Sequence, residues 1–169
     1  MAHFEIADLA LGQGRIGICP APGRSGNYEA DLSTLLRWRP AMVLTMTTLA
    51  ELDRLGASGL GEDLAAAGIA WHHLPVTDFG APDAATAGAW PSVSARAHAA
   101  LGEGGRVLAH CFGGCGRSGM ALLRLMVEAG ETPDAALARL RGVRPCAVET
   151  DEQRAWAAIP VQQPEDRTR

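Results

Sequence analysis

The sequence predicts a single α/β domain with a central, mostly parallel β-sheet flanked by helices. Two observations support this prediction. Short apolar runs alternate along the chain with helical stretches, a pattern typical of parallel β-α-β units. The run Val107-Leu108-Ala109 follows two glycines and contains no polar residue, as expected for a strand buried on both faces. The 169 residues fit one domain, which we place at residues 1–160, with a polar tail at residues 161–169.

Strands and helices follow one another in an order that fits this fold. The predicted strands, of which the first is the weakest, are His3–Ile6, Arg15–Cys19, Ala41–Met46, Ile69–Leu74 and Arg106–His110. The predicted helices are Tyr28–Arg37, Leu49–Leu55, Gly61–Ala67, Pro82–Leu101, Arg117–Ala129, Pro133–Arg141 and Thr150–Ala158. Thr132 before Pro133 indicates a capped helix start, and Gly130 is expected to end the helix before it.

The composition excludes several classes of protein. Hydrophobic residues make up 47% of the chain and charged residues 20%, which argues against wholesale disorder. No stretch approaches the ~20 apolar residues that cross a bilayer, and the first residues lack the pattern of a secretion signal. A net charge of −4 does not favour nucleic-acid binding. Four cysteines are too few for a disulfide scaffold and suit a reducing compartment. We therefore expect a cytoplasmic protein with no membrane or nucleic-acid partner. The sequence does not reveal its oligomeric state, for which a monomer is the expectation.

One segment, between a predicted buried strand and a predicted helix, carries the chemical information. It reads His110-Cys111-Phe112-Gly113-Gly114-Cys115-Gly116-Arg117-Ser118-Gly119. Its glycines allow successive backbone N–H groups to converge on one point, where they form a nest for a tetrahedral anion. The N-terminus of the following helix adds partial positive charge there. The sequence therefore predicts a phosphate-binding loop whose backbone contribution comes from Phe112, Gly113, Gly114, Cys115 and Gly116.

The side chains of this loop suit nucleophilic catalysis. Arg117 offers a planar fork that holds two phosphate oxygens, and Cys111 is expected to be a thiolate in this positive field. Ser118 is placed to hydrogen-bond the sulfur and make it a better leaving group. We expect His110 to brace the loop backbone, the alternative being an ordinary strand-end histidine. Together these residues predict a phosphomonoester hydrolase that forms a cysteinyl-phosphate and needs no cofactor, because the nest and Arg117 supply the positive charge.

Competing interpretations of the same glycines fit less well. A dinucleotide site requires an acidic residue at the end of a second strand, where this chain has the helical run Ala135–Leu140. A nucleoside-triphosphate loop requires lysine, and all fifteen basic residues are arginine. A metal site lacks paired cysteines, and Arg117 would repel a cation. A tight turn with an inert buried cysteine is the structural alternative, but only Cys111 among the four cysteines has arginine six residues later.

This loop belongs to a longer similarity, from about Ile18 to Trp156. The similar segments are Cys19-Pro20-Ala21-Pro22-Gly23, Trp71-His72-His73-Leu74-Pro75-Val76-Thr77-Asp78-Phe79-Gly80-Ala81-Pro82-Asp83 and Ala147-Val148-Glu149-Thr150-Asp151-Glu152-Gln153. With them, the chain resembles the cysteine-dependent protein phosphatases of the dual-specificity class, above all the type associated with cyclin-dependent kinases. The resemblance implies a tyrosine-phosphatase-like fold, Cys111 as nucleophile and Arg117 as phosphate clamp. It also implies phosphotyrosine, and in some members phosphoserine or phosphothreonine, of a protein as substrate.

Two other functions remain as alternatives. One is hydrolysis of a small phosphorylated metabolite or a phosphoinositide, although enzymes for polyphosphorylated lipid heads place lysine where this loop has Phe112 and Cys115. The other is a non-catalytic module that binds phosphorylated residues. Retention of a nucleophile argues against that module, because binding alone requires none.

The remaining candidate residues lie outside the loop or depart from the family pattern. Displacing an alcohol from phosphorus requires a proton donor, and Asp78, in a Pro- and Gly-flanked loop after a strand, matches the family's general acid. Asp83 is the alternative, although Pro82-Asp83 looks like a helix start. Gln153 matches a family glutamine and either positions water or is an ordinary exposed helix residue.

Cys115 stands where related loops carry an aliphatic or basic residue. We expect it to be a small apolar side chain packed beneath the loop. The alternative is a redox disulfide that links Cys111 to Cys115 or to Cys19.

Overall fold

The computed structural model describes residues 3–159 and contains a five-stranded sheet of order β1-β2-β5-β3-β4. The strands are β1 (Ala7–Leu11), β2 (Gly14–Cys19), β3 (Met42–Thr45), β4 (Ala70–His73) and β5 (Arg106–His110). Only the β1–β2 pair is antiparallel; β2–β5, β5–β3 and β3–β4 are parallel. The predicted mostly parallel sheet is therefore confirmed.

Helices cover both faces of this sheet. They are α1 (Tyr28–Trp38), α2 (Leu49–Arg54), α3 (Leu60–Ala66), α4 (Ala84–Gly102), α5 (Gly116–Glu128), α6 (Pro133–Val143) and α7 (Asp151–Ala157). Alternate residues of β5 enter different apolar clusters. Val107 and Ala109 pack with α4 to α7, whereas Leu108 packs with α1 to α3. The central strand is thus buried on both faces, and its carboxyl end delivers the loop that follows it.

The first strand lies later in the chain than the sequence predicted. The expected strand His3–Ile6 is wrong, because β1 is Ala7–Leu11 and pairs with β2 across a tight hairpin. Leu11 faces Gly14 in this ladder, so only Gly12 and Gln13 form the turn. Gly12 adopts φ +58, which a two-residue hairpin turn requires. The sequence analysis did not identify the hairpin turn that Gly12 and Gln13 form.

The helix ends differ from expectation in one detail. Thr132 precedes Pro133 at the start of α6, but its side chain makes no capping hydrogen bond. Gly130 follows the last residues of α5 with φ +104, the conformation that favours glycine after a helix. The predicted tail, residues 161–169, and the predicted domain boundary at residue 160 lie outside the described residues.

Candidate active site

The loop between β5 and α5 curls tightly because its glycines allow close backbone contact. Gly114 adopts φ +73, and a methyl group added there would lie 2.5 Å from the backbone of Cys19 and Pro20. No other residue fits this position, because both the left-handed conformation and the neighbouring chain exclude a side chain. The tight bend that the glycines of this loop predict is therefore present at Gly114.

Cys111 begins this loop and is nearly buried, with 3% of its surface exposed. Its Sγ lies 3.2 Å from the Oγ of Ser118, which is fully buried in the first turn of α5. The structure therefore brings these two side chains together as the sequence predicted. A hydroxyl at this distance can donate to a thiolate and stabilise its negative charge.

Arg117 is buried, and its guanidinium donates hydrogen bonds to two residues from different segments. Its Nη1 and Nη2 donate to the two carboxylate oxygens of Glu51 at 2.8 and 2.7 Å, and Nη1 also donates to the carbonyl of Val76 at 2.8 Å. Its Nε is buried and has no partner among the described residues. Three of its five N–H donors are therefore used by Glu51 and Val76, which leaves Nε and the second hydrogen of Nη2 for other partners.

Glu51 is a functional residue that sequence reasoning missed. It belongs to the capping box of α2, where its carboxylate accepts the backbone N–H of Thr48 at 2.8 Å. Burial alone would raise the pKa of Glu51, but the hydrogen bonds from Arg117 and Thr48 outweigh it and lower the pKa to about 2. The spacing Thr48-x-x-Glu51 was the available signal, although it indicates a helix start and not an arginine partner.

Asp78 approaches the same guanidinium from the other side. Its side chain is 57% exposed, and Oδ1 lies 3.3 Å from the Nη2 of Arg117. Oδ1 also accepts the N–H of Phe79 at 3.0 Å, and Phe79 adopts φ +60 in this turn. Asp83, by contrast, caps α4 by accepting the N–H of Thr86 at 2.8 Å. The structure therefore brings Asp78, and not Asp83, to the loop.

Gln153 ties the segment that carries Asp78 to the last helix. It is fully buried, so the interpretation as an exposed helix residue is wrong. Its Nε2 donates to the carbonyl of Gly80 at 3.1 Å, and its Oε1 accepts the N–H of Glu149 at 2.9 Å. The side chain also lies against Gly116, at the start of α5.

His110 braces the loop through a chain of hydrogen bonds. Burial lowers the pKa of His110 to about 4, so the ring is neutral at pH 7. Its Nδ1 lies 3.2 Å from the carbonyl of Cys111 and must therefore carry the proton. Nε2 then accepts from the hydroxyl of Thr45 at 2.7 Å, which in turn accepts from Trp71 Nε1 at 2.7 Å.

Cys115 is not a free thiol beneath the loop. It forms a disulfide with Cys146, and the two Cα atoms lie 5.2 Å apart. Neither predicted alternative link forms, because Cys19 and Cys111 are both free and buried. Cys115 immediately precedes α5 and lies beside the turn between α6 and α7. Its reach toward Cys146 was not predicted, since sequence spacing alone does not show which turns meet.

The same turn holds the loop by hydrogen bonds. Arg144 donates to the carbonyls of Gly113 at 3.0 Å and Gly114 at 2.9 Å, and the N–H of Val148 donates to the carbonyl of Cys115 at 3.2 Å. Three successive carbonyls of the loop are therefore occupied. Backbone N–H groups of such a loop are left to face the opposite side, where an anion would bind.

An open cavity of about 350 Å³ lies in front of the loop. It is lined by Arg24, Asp78, Phe79, Phe112, Gly113, Cys115 and Glu149. Among residues 3–159, no group of three or more His, Cys, Asp or Glu side chains is arranged to hold a metal ion. No helix in the same range is long and apolar enough to cross a membrane.

Comparison with known proteins identifies the family. Residues 20–131 match the model of the "Polymorphic toxin system, DSP-PTPase phosphatase" family. The chain is also similar to cyclin-dependent kinase inhibitor 3 of mouse, with 30% identity over 145 residues, or 82% of this chain and 67% of the relative. The human form is 27% identical over 146 residues, again 82% of this chain and 68% of the relative.

Solved structures agree with this match. A crystal structure of kinase-associated phosphatase, with its catalytic cysteine replaced by serine, has a TM-score of 0.80 and 24% identity and covers 93% of both chains. The active form of Tk-PTP has a TM-score of 0.64 and 28% identity, covering 89% of this chain and 92% of that one. The protein has a tyrosine-phosphatase-like fold and belongs to the dual-specificity phosphatase family. It is a cysteine-dependent protein phosphatase that requires no metal ion, and the family reaction passes through a cysteinyl-phosphate.

Proposed function

We propose that Cys111 is the nucleophile of this phosphatase, Arg117 its phosphate clamp and Asp78 its general acid. The Cys111 thiolate attacks phosphorus, and an S–P bond forms while the P–O bond to the leaving alcohol breaks. Asp78, in its carboxylic acid form, gives its proton to the departing oxygen. The products of this step are the free alcohol and a phosphorylated Cys111.

The second step regenerates the enzyme. A water molecule attacks phosphorus and passes a proton to the Asp78 carboxylate, and the S–P bond breaks to release inorganic phosphate. The sulfur leaves as a thiolate, which the hydroxyl of Ser118 at 3.2 Å stabilises. Asp78 thereby regains the proton that it gave in the first step, so the cycle balances without a cofactor.

The unpartnered Nε of Arg117 is the single observation that supports this assignment best. Leaving a buried donor unsatisfied costs about 1–3 kcal/mol. Glu51 and Val76 accept hydrogen bonds from the Nη1 and Nη2 nitrogens. No residue within 3–159 accepts one from Nε. A phosphate oxygen at this point would satisfy Nε and be held between the guanidinium and the backbone of the loop.

The supporting residues act by position. His110 fixes the carbonyl of Cys111, and we propose that this holds the sulfur in place. Gln153 fixes the segment that carries Asp78 through the carbonyl of Gly80. The water-positioning role predicted for Gln153 stays a prediction, tested by the rate at which a trapped phosphoenzyme of Gln153→Ala loses phosphate.

Phosphotyrosine in a protein is the proposed substrate, with phosphoserine, phosphothreonine or a small phosphate ester as broader possibilities. A panel of phosphopeptides and soluble phosphate esters compares their kcat/KM directly. The cytoplasmic location and the monomeric state also stay predictions. Cell fractionation tests the first, together with the redox state of Cys115 and Cys146, and sedimentation tests the second.

Turnover of 4-nitrophenyl phosphate and of a phosphotyrosine peptide, in the presence of a metal chelator, tests the proposal. Cys111→Ser should abolish both activities and the labelling of the protein by ³²P-phosphopeptide. Cys19→Ala removes the other free thiol and should leave both intact. A Cys111→Ser protein with one-tenth or more of wild-type activity, or label attached elsewhere, would overturn the assignment.

A further inference from the structure

The ring of Phe112, in the phosphate loop, forms cation–π contacts with two arginines that come from different segments of the chain. The guanidinium carbon of Arg24 lies 5.1 Å from the ring centre and that of Arg54 lies 5.5 Å from it. Both arginines are exposed. Neither forms an ion pair or a side-chain hydrogen bond within residues 3–159.

Within the same range, the lack of any hydrogen-bond partner for the guanidinium, acidic or carbonyl, sets Arg24 and Arg54 apart from the arginines that hold the fold together; Arg144, for example, donates to two carbonyls of the phosphate loop. Several other exposed or half-buried arginines each pair with a carboxylate. These pairs are Arg15–Asp8, Arg124–Glu128, Arg139–Glu131 and Arg154–Asp134. A cation–π contact with Phe112 uses no N–H donor, so the guanidinium N–H groups of Arg24 and Arg54 stay free for a ligand. Two positive charges beside one ring are therefore available to a ligand.

Their position connects them to the reaction. Arg24 lines the same cavity as Asp78 and Phe112. A methyl group added to Gly113 would lie 2.7 Å from Arg24 Nη1, so this guanidinium rests against the phosphate loop itself. Arg54 is the last residue of α2, the helix that also supplies Glu51 to Arg117.

The cavity is charged differently at its two ends. Arg24 lies at Phe112 and Gly113, near the start of the loop, whereas Glu149 lines the cavity and contacts Gly116 near its end. A negative group on the substrate is therefore attracted toward Phe112 and repelled at the Glu149 end. Because of this asymmetry, a charged substrate has a preferred orientation when it binds at the mouth of the site.

We propose, given the function proposed above, that Arg24 and Arg54 bind a second anionic group next to the phosphorylated residue of a peptide. The favoured substrate is an acidic phosphopeptide, in which a carboxylate or a second phosphate lies on one side of the phosphotyrosine. The phosphotyrosine enters between Asp78 and the loop, and the second anion binds the free N–H donors beside Phe112. Arg24 and Arg54 are thus specificity-determining residues and take no part in bond breaking.

Phosphotyrosine peptides that differ at one flanking position test this proposal. One set carries alanine, glutamate or phosphoserine before the phosphotyrosine, and a second set carries them after it. On one side only, glutamate or phosphoserine should raise kcat/KM roughly three- to thirty-fold over alanine at low salt, the range for one or two charge-assisted contacts. Added salt should reduce that ratio, because the contacts are exposed.

Variants assign the preference to the two arginines. Arg24→Gln and Arg54→Gln should each lower the ratio, and the double variant should bring it to about one. Arg96→Gln, on the exposed surface of α4, changes the net charge equally and should keep the wild-type ratio. Thermal unfolding of each variant checks that the fold is retained, and the single variants supply the ratio where the double variant does not fold.

The alanine peptide separates the two proposals. If it is hydrolysed with dependence on Cys111 and the acidic peptides show no advantage, the anion site is wrong and the phosphatase assignment stands. If the alanine peptide is hydrolysed independently of Cys111, the catalytic assignment fails. A double variant that keeps the wild-type ratio, or a higher kcat/KM for soluble inositol trisphosphate than for every peptide, would also overturn the acidic-peptide proposal.

Discussion

Two anchors hold the phosphate loop, and they differ in kind. At Arg117 the anchor is ionic, since Glu51 of α2 accepts from two nitrogens of the guanidinium. At Cys115 the anchor is covalent, since a disulfide links the loop to Cys146 in the turn between α6 and α7. Arg144 from the same turn adds hydrogen bonds to two loop carbonyls.

The difference shows how a loop can be rigid and still keep donors for a ligand. Arg144 and the N–H of Val148, from the segment that the disulfide attaches, occupy carbonyls of the loop, and carbonyl oxygens do not bind an anion. The ionic anchor fixes the guanidinium of Arg117 through Nη1 and Nη2 and leaves Nε for the phosphoryl group. We therefore expect changes near the ionic anchor to reduce catalysis, and changes at the covalent anchor to reduce stability.

Apart from loss of the Cys111 nucleophile, Asp78→Asn should have the largest effect on turnover. Without the acid, the leaving oxygen departs unprotonated, so kcat should fall by roughly 10²–10⁴-fold while substrate binding persists. Steady-state kinetics with a phosphotyrosine peptide measure this. Asp83→Asn is the matched control, because Asp83 caps α4 and should affect the melting temperature more than kcat. Equal rates for Asp78→Asn and wild type at mildly acidic pH would exclude Asp78 from the role.

Glu51→Gln breaks the ionic anchor and should have the next largest effect. A neutral amide no longer fixes the guanidinium of Arg117, and kcat/KM should fall by roughly 10–100-fold. The inhibition constant of vanadate, which resembles the phosphoryl group in transfer, should rise in parallel. Thr48→Ala weakens the capping box of α2 but keeps the ion pair, so it should lower stability without this loss. If Thr48→Ala matched Glu51→Gln in both measurements, the anchor would be an effect of helix capping alone.

Replacing both cysteines of the covalent anchor by alanine should have little effect on turnover. The disulfide closes a loop of sequence separation 31, for which chain entropy predicts about 3–4 kcal/mol of stabilisation. Urea unfolding should show a loss of that order, with kcat/KM within about five-fold of wild type because the bonds from Arg144 and Val148 remain. A hundred-fold loss of activity in a folded double variant would show that the comparison between the anchors is wrong.

The pH dependence of stability should reveal the contribution of His110, a buried neutral base, separately from the contributions of the two anchors. The folded pKa of His110, about 4, lies below the ordinary value of 6.5, so the unfolded chain binds more protons between these values. The free energy of unfolding should therefore fall by roughly 3 kcal/mol as pH decreases from 6.5 to 4. The Glu51–Arg117 pair should persist in this window, because the pKa of Glu51 is about 2.

Chemical denaturation across this pH range measures the effect, with His110→Gln as the comparison. The variant lacks the titrating ring, so its stability should vary less with pH. A wild-type slope that survives unchanged in His110→Gln would assign the effect to other groups.

Local patterns in the sequence were sufficient to predict most of the fold and the loop. The predicted strand Arg106–His110 is confirmed residue for residue, because an apolar run after glycines indicates a buried strand. The contact between Cys111 and Ser118 was also predictable, since they are seven positions apart and Ser118 lies at the start of a helix.

Long-range partners were not predictable in this way. Glu51 and Arg117 are 66 residues apart, and the capping box accounts for Glu51 on its own. The disulfide required knowing that the turn after α6 lies beside the loop, which is a property of helix packing. The sequence left open whether Gln153 is an exposed helix residue, because its burial comes from contacts with Gly80 and Gly116, which are distant along the chain.

The disulfide has a practical consequence for the biochemistry of the enzyme. Cys146 is exposed, so a thiol reductant can reach the bond. A reductant added to protect the Cys111 sulfur from oxidation therefore also cleaves the Cys115–Cys146 bridge. Assays with and without reductant then compare two covalent forms of the protein, and the oxidation state of both sites must be recorded alongside each rate.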